Sequence, residues 1–172
     1  PLYMPVPPRQ VAEVRDVSGE VFSLQSSGRQ PLQGGDKIST GTQFEVAAGS
    51  TVRFEYRDKT SVQFGSTTMA TKFQLVAERK SQAKFVRLDQ GEALADVALQ
   101  RNLGPMVFQT PQARAIVLGT QFRLIVSPQD TRLDVTEGKV QFVQTATNSN
   151  SVVVANQSAV ANPTGLVLRE LR

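Results

Sequence analysis

A chain of 172 residues, 40% hydrophobic and 20% charged, is long enough to bury one real core and too ordinary in composition for wholesale disorder. It contains neither cysteine nor histidine, which excludes thiol nucleophiles, Cys/His zinc sites, Ser-His-Asp triads and imidazole acid–base catalysis. The net charge of +4 comes from 19 basic and 15 acidic residues interspersed along the chain; this is not the concentrated basic element that neutralising many phosphates requires, and no nucleic-acid partner is expected.

The first ten residues hold Pro1, Pro5, Pro7 and Pro8, a density that favours extended polyproline geometry and reads as a tether before a β domain over residues 11–172. From Val11 onward the dominant period is two. Val52, Phe54 and Tyr56 fall on one face of a strand with charges opposite; Phe122, Leu124 and Val126 repeat the pattern, as do Val140 and Phe142. Residues 113–118 and 152–154 carry apolar residues on both faces, which predicts strands buried between layers. Turn signals at Ser26-Ser27-Gly28, Gly34-Gly35-Asp36, Ala48-Gly49-Ser50, Gln90-Gly91, Glu137-Gly138 and Asn148-Ser149-Asn150 separate these runs. Short strands divided by turns predict an all-β fold. Residues 92–101 fit either period: Ala93, Leu94, Val97 and Ala98 sit at helical spacing, while Ala93, Ala95, Val97 and Leu99 alternate. The cluster Arg79, Lys80, Lys84 and Arg87 reads as a solvated strand face and turn. No apolar run approaches the roughly 20 residues needed to cross a bilayer. The start at Pro1, with no export signal ahead of it, suggests a processed protein or a portion of a longer one.

Three segments echo one another: Asp16-Val17-Ser18-Gly19-Glu20-Val21, Leu88-Asp89-Gln90-Gly91-Glu92-Ala93 and Val135-Thr136-Glu137-Gly138-Lys139-Val140. Each places a glycine and a charge between apolar residues, as a turn kept in water demands. Their unequal spacing rules out a strict solenoid repeat but suggests that one kind of strand–turn–strand unit recurs.

The same segments resemble the FecR domain family, from about Val11 to about Ala161. The most specific block runs from Phe108 through Thr110-Pro111 and Gly119-Thr120 to Phe122, similar to the family's F-x-V-x-T-P-x-A-x-V-x-V-x-G-T-x-F, with fewer residues between Phe108 and Thr110. Leu88-Asp89-Gln90-Gly91-Glu92-Ala93 is similar to L-x-x-G-E-A, and Val135 to Val140 to V-x-E-G-x-V. Leu32 to Gly41 looks like L-x-x-G-D-x-I-x-T-G, whereas Val46 to Ser50 lacks the Asp of L-P-D-G-S. The resemblance implies an extracytoplasmic β domain without enzymatic activity, in the periplasm or cell envelope, wound as a β-helix-like roll of packed sheets; a β-sandwich is the alternative. It also implies strand for residues 92–101. Gly91, Glu92, Thr110, Pro111, Gly119, Thr120, Phe122 and Gly138 are then determinants of the fold.

The expected function is a protein-interaction or sensing module with no cofactor and no metal, and with another protein as partner: a transporter signalling domain or an envelope component. The alternative is the periplasmic portion of a transmembrane sigma-factor regulator. The chain shows neither the membrane helix nor the cytoplasmic domain of such a regulator, which favours exported proteins carrying this domain. A third, different class is a glycan-acting enzyme using two carboxylates, for which Glu92 and Glu137 are the candidates. Gly34-Gly35-Asp36 supplies one acid where calcium wants roughly 6–8 oxygens, and reads as a plain turn. Asn156-Gln157-Ser158 fits an N-glycosylation triplet that matters only in a eukaryotic secretory setting. With the alternation assigning most apolar residues to the core, no exposed patch can be named; Leu166 and Leu168 mark a candidate edge for a partner.

Overall fold

The period of two is realised as strands throughout. The computed structural model describes residues 7–77, 83–100 and 104–171, and these contain fifteen strands and no helix. In chain order they are β1 (Gln10–Ser18), β2 (Val21–Gln25), β3 (Gly28–Pro31), β4 (Lys37–Ser39), β5 (Gln43–Val46), β6 (Thr51–Tyr56), β7 (Ser61–Phe64) and β8 (Thr71–Val76). There follow β9 (Phe85–Val97), β10 (Met106–Gln109), β11 (Ala113–Val126), β12 (Thr131–Gln144), β13 (Asn150–Val154), β14 (Gln157–Asn162) and β15 (Gly165–Glu170).

All fifteen belong to one hydrogen-bonded sheet, which doubles back on itself because β9, β11 and β12 each serve two layers. The first half of β9 pairs with β8 and, in parallel, with β10; its second half, Gly91 to Val97, pairs with β7 and with the second half of β11. One layer therefore runs β3-β2-β5-β8-β9-β10-β11-β12-β13 and the other β4-β1-β6-β7-β9-β11-β12-β14-β15. Beyond the end strands β3 and β4, each layer advances in chain order, and the architecture is a roll rather than a closed barrel.

Crossing between layers requires each long strand to turn its apolar side inward twice. A strand alternates strictly, so this costs a slip of one residue in phase. The buried positions show it: Val86 and Leu88, then Ala93, Ala95 and Val97 in β9; Ala113, Ala115 and Val117, then Phe122, Leu124 and Val126 in β11; Leu133 and Val135, then Val140 and Phe142 in β12. The slips fall at Gly91, Gly119 and Gly138, beside register irregularities in the ladders.

The three echoed segments are crossings of this kind. Gly19 carries β1 into β2, and Gly91 and Gly138 lie at the bends of β9 and β12. At each, a hydroxyl from a neighbouring segment takes the space a Cβ would need and bonds the backbone at the bend. Ser50 Oγ accepts from Glu20 N at 2.9 Å, Thr71 Oγ1 accepts from Glu92 N at 3.3 Å, and Thr120 Oγ1 donates to the Glu137 carbonyl.

Between the layers lies a continuous apolar core. Its rings alternate across the two faces: Phe64 stacks on Phe73 with centroids 3.6 Å apart, Phe54 meets Phe44 edge-on at 5.3 Å, and Phe108 meets Phe122 at 5.2 Å. Burying one such side chain stabilises the fold by about 1.5–3 kcal/mol, with up to about 1.5 more for each well-placed ring pair.

Three expectations need correction. β9 ends at Val97, so residues 98–100 leave the sheet, and Arg101 lies outside the described residues. Residues 113–118 and 152–154 are not buried on both faces: Leu118 and Val152 are each 53% exposed and Val154 is 42% exposed. Their outward residues face solvent because each layer is covered on one side only. Lys84 is buried, not solvated, while Arg79 and Lys80 lie outside the described residues.

Candidate functional site

Lys84, one residue before β9, continues that strand's alternation and points inward with Val86 and Leu88. Its side chain is only 8% exposed, at the rim of the roll opposite Gly91. A buried ammonium must find partners. Lys84 Nζ lies 2.7 Å from Asp58 Oδ2 and donates to Gln100 Oε1 at 2.8 Å. It also sits 5.5 Å from the ring centroid of Tyr56.

Three chain segments meet here. The β6–β7 hairpin supplies Asp58, whose Oδ1 accepts from Thr60 N at 3.0 Å. The segment after β9 supplies Gln100, whose amide donates to Asp58 Oδ2 at 2.9 Å and to the Ala98 carbonyl at 2.6 Å. Thr60 Oγ1 accepts from Ala98 N at 3.1 Å and ties hairpin to segment. Burial pushes the Asp58 carboxyl up, but hydrogen bonds from Lys84, Gln100 and Thr60 outweigh it and hold the group at about 2. Burial, reinforced by the Asp58 carboxylate, raises the Tyr56 phenol above its ordinary value, so the hydroxyl stays protonated at neutral pH.

The cluster borders a cavity of about 450 Å³ whose other walls include Val11, Thr40, Leu75, Val76 and Phe85, with Arg9 and Arg57 among its polar residues. Tyr56 is 5% exposed, yet its hydroxyl has no hydrogen-bond partner among the described residues and is not among the fully enclosed unpaired atoms. Nothing here is arranged for covalent chemistry, since the lysine is already paired with a carboxylate and an amide.

The residues singled out in the sequence lie elsewhere. Glu92 and Glu137 are not brought together: they pair with Ile125 and Gln121 on opposite sides of β11, about 13 Å apart along the strand at ~3.3 Å per residue. Glu92 faces Arg123 at 3.2 Å. A two-carboxylate glycosidase centre needs roughly 5–10 Å across a shared cleft, and neither residue lines one of the described pockets.

Thr110 and Pro111 close the β10–β11 hairpin on the Gly91 rim. Thr110 Oγ1 accepts from Ala113 N at 3.0 Å and lies 2.7 Å from Thr131 Oγ1 of the other layer, joining the two. A Cβ on Gly119 would lie 3.2 Å from Leu99 Cα; Thr120 bonds the Gly138 bend, and Phe122 is fully buried. Asp36 caps its own turn, accepting from Gln33 N at 2.8 Å. Asn156 occupies the β13–β14 turn at φ 68°.

Leu166 and Leu168 pair with the buried Ala161 and Ala159 and therefore share their inward face. Leu166 packs on the core, whereas Leu168 is 43% exposed. Among the described residues the apolar interior is thus uncovered at the β15 end, and exposed apolar residues can be named after all. Sequence reading missed Lys84, Asp58, Gln100 and Tyr56 as a group; the one available signal was Lys84 at an inward position of an otherwise apolar alternation.

Over residues 36–141 the chain matches the family described as FecR protein. Two solved structures of a candidate anti-sigma factor from Parabacteroides distasonis, at 2.50 and 1.65 Å resolution, are similar to it in fold. Each has a TM-score of 0.62 and 22% identity over 75% of this chain and 59% of that one, so the chain spans about three-fifths of their length. No curated protein matches it.

Proposed function

From the premise that this chain belongs to the FecR family, we propose that it is a non-catalytic module of the bacterial cell envelope that works by binding another protein. One observation carries this reading: the roll is open at β15, where Leu168 stands on the core-facing side yet is 43% exposed. A layered β architecture requires its end strands to be covered or made polar. Among the described residues β15 pairs only with β14, which leaves its other edge able to receive an added strand. Val167 on the outer face is also exposed, at 44%.

Within this reading, the narrower role is to receive the ligand state of an outer-membrane transporter and pass it towards a sigma factor. The fold shared with a candidate anti-sigma factor supports looking there first. The test is a calorimetric titration with the isolated signalling domain of a transporter from the same organism. A saturable complex with Kd below about 10 μM, weakened at least about tenfold by Leu168→Lys, supports the relay. A complex that ignores Leu168→Lys moves the interface away from β15. Absence of binding by the folded domain rejects the transporter as partner and turns the search to other envelope proteins.

A further inference from the structure

The cavity beside Lys84 is independent of the β15 edge and lies on the Lys84 rim. Its volume of about 450 Å³ falls in the range of small-molecule sites, roughly 300–1,000 Å³. Its walls have the make-up such sites use. Val11, Leu75, Val76 and Phe85 give an apolar lining, against which a few polar groups stand.

Apart from one internal ion pair, the charged groups of the lining are cationic. Lys84 and Asp58 neutralise each other at 2.7 Å. Arg57 is exposed and makes no ion pair among the described residues, while Arg9 adds a second guanidinium to the lining. Tyr56 contributes a hydroxyl that lacks a partner although the residue is 95% buried, on a wall of the cavity. That oxygen is not fully enclosed, so a molecule in the cavity can reach it. Deprotonation is disfavoured by burial and by Asp58, so this phenol is a donor. A donor hydroxyl and a guanidinium that line the same apolar hollow are complementary to an anion attached to hydrocarbon.

We propose that this cavity binds a small carboxylic acid with an apolar body, its carboxylate held by Tyr56 and Arg57 and its hydrocarbon part against Val11, Leu75, Val76 and Phe85. Such a ligand would bridge β1, β6, β8 and the start of β9, strands of both layers.

The test is an NMR titration of the isotopically labelled protein with octanoate and with 4-phenylbutyrate, using octanamide as the neutral counterpart. The expected result is saturable movement of the Val11, Leu75 and Val76 methyl resonances, with Kd below about 1 mM for at least one acid. Tyr56→Phe, which keeps the ring and removes the hydroxyl, should weaken that acid at least about tenfold, and octanamide should bind as weakly. Arg57→Gln, at an exposed position, tests the same point in a variant whose fold is not at risk. The proposal is overturned if neither acid saturates by about 20 mM. It is equally overturned if octanamide matches octanoate, or if both variants bind like the wild type.

Discussion

A Cβ built on Gly91 would lie 2.5 Å from the Cα of Thr71 and 2.1 Å from its hydroxyl oxygen. The bend of β9 is therefore pressed against the backbone of β8, which cannot withdraw without breaking the ladder between them. Gly91 also has φ +99°, a region that L side chains enter at a cost of about 1–2 kcal/mol. Adding overpacking of about 1–3 kcal/mol, Gly91→Ala should destabilise the domain by roughly 3 kcal/mol or more in urea unfolding. Gly35, at φ +90° with nothing within 4 Å of its would-be Cβ, is the control, and Gly35→Ala should cost only about 1 kcal/mol. Equal effects would mean that backbone strain alone governs and that the Thr71 contact is unimportant.

The Lys84–Asp58 pair should respond unequally to loss of either partner. Asp58→Asn strands an ammonium that is 8% exposed, at a cost of about 3–5 kcal/mol. Lys84→Met strands a carboxylate that is 31% exposed and still bonded by Gln100 and Thr60, at about 1–2 kcal/mol. The double variant should be less damaged than Asp58→Asn alone, because the stranded charge is gone. A double-mutant cycle by denaturant unfolding checks all three, and strict additivity would mean that the two groups do not interact.

How much of this was legible beforehand depends on how local the signal was. The strands were visible because Val52, Phe54 and Tyr56 alternate in sequence as they do in space. The echoes at Gly19, Gly91 and Gly138 were visible as a pattern, and their meaning as layer crossings was not, since that meaning lies in Ser50, Thr71 and Thr120 elsewhere in the chain. The cavity cluster was hidden for the same reason. Asp58, Lys84 and Gln100 are separated by 42 residues from first to last and meet only through pairing of β7 with β9. Leu118 and Val152 misled because an unbroken apolar run in a strand does not reveal that one face is left to solvent.

Both ends of the pH scale should report on this cluster. Asp58 titrates at about 2 in the folded state against an ordinary 3.8. Its depressed value contributes stability that is present above 3.8 and is lost as pH falls towards about 2. The stability gap between wild type and Asp58→Asn should thus be constant near neutrality and narrow between about pH 4 and pH 2. Tyr56 shifts the other way, its folded value lying above the ordinary 10.0. Stability from the neutral phenol is intact below 10.0 and declines as pH rises beyond it, so Tyr56→Phe should resist alkaline unfolding better than the wild type. Urea midpoints measured across pH decide both, and parallel profiles for wild type and variant would contradict the assignment.

Separated along β11 and away from the described pockets, Glu92 and Glu137 should be dispensable. The Glu92→Gln/Glu137→Gln double variant loses one exposed ion pair with Arg123, worth at most about 1 kcal/mol. Its urea midpoint should move little and its partner binding not at all. Incubation of the wild type with peptidoglycan or polysaccharide should release no more reducing sugar than buffer. Hydrolysis by the wild type that disappears in the double variant would sink the non-catalytic reading.

Leu166 and Leu168 lie two positions apart on the same inward face of β15, and should nevertheless behave differently. Leu166 packs against the core opposite Ala161, so Leu166→Lys buries a charge without a partner and should cost about 2 kcal/mol or more. Leu168 is 43% exposed because no further strand of the described chain covers it. Leu168→Lys can turn its ammonium into water and should stay within about 0.5–1 kcal/mol of wild type. Urea unfolding of the two variants measures the depth at which the core ends. If Leu168→Lys proves as damaging as Leu166→Lys, the core closes beyond Leu168 and the strand is a lid. If only Leu166→Lys is damaging, the apolar surface at Leu168 adds little to folding and is left available for the contact through which this end of the roll is covered.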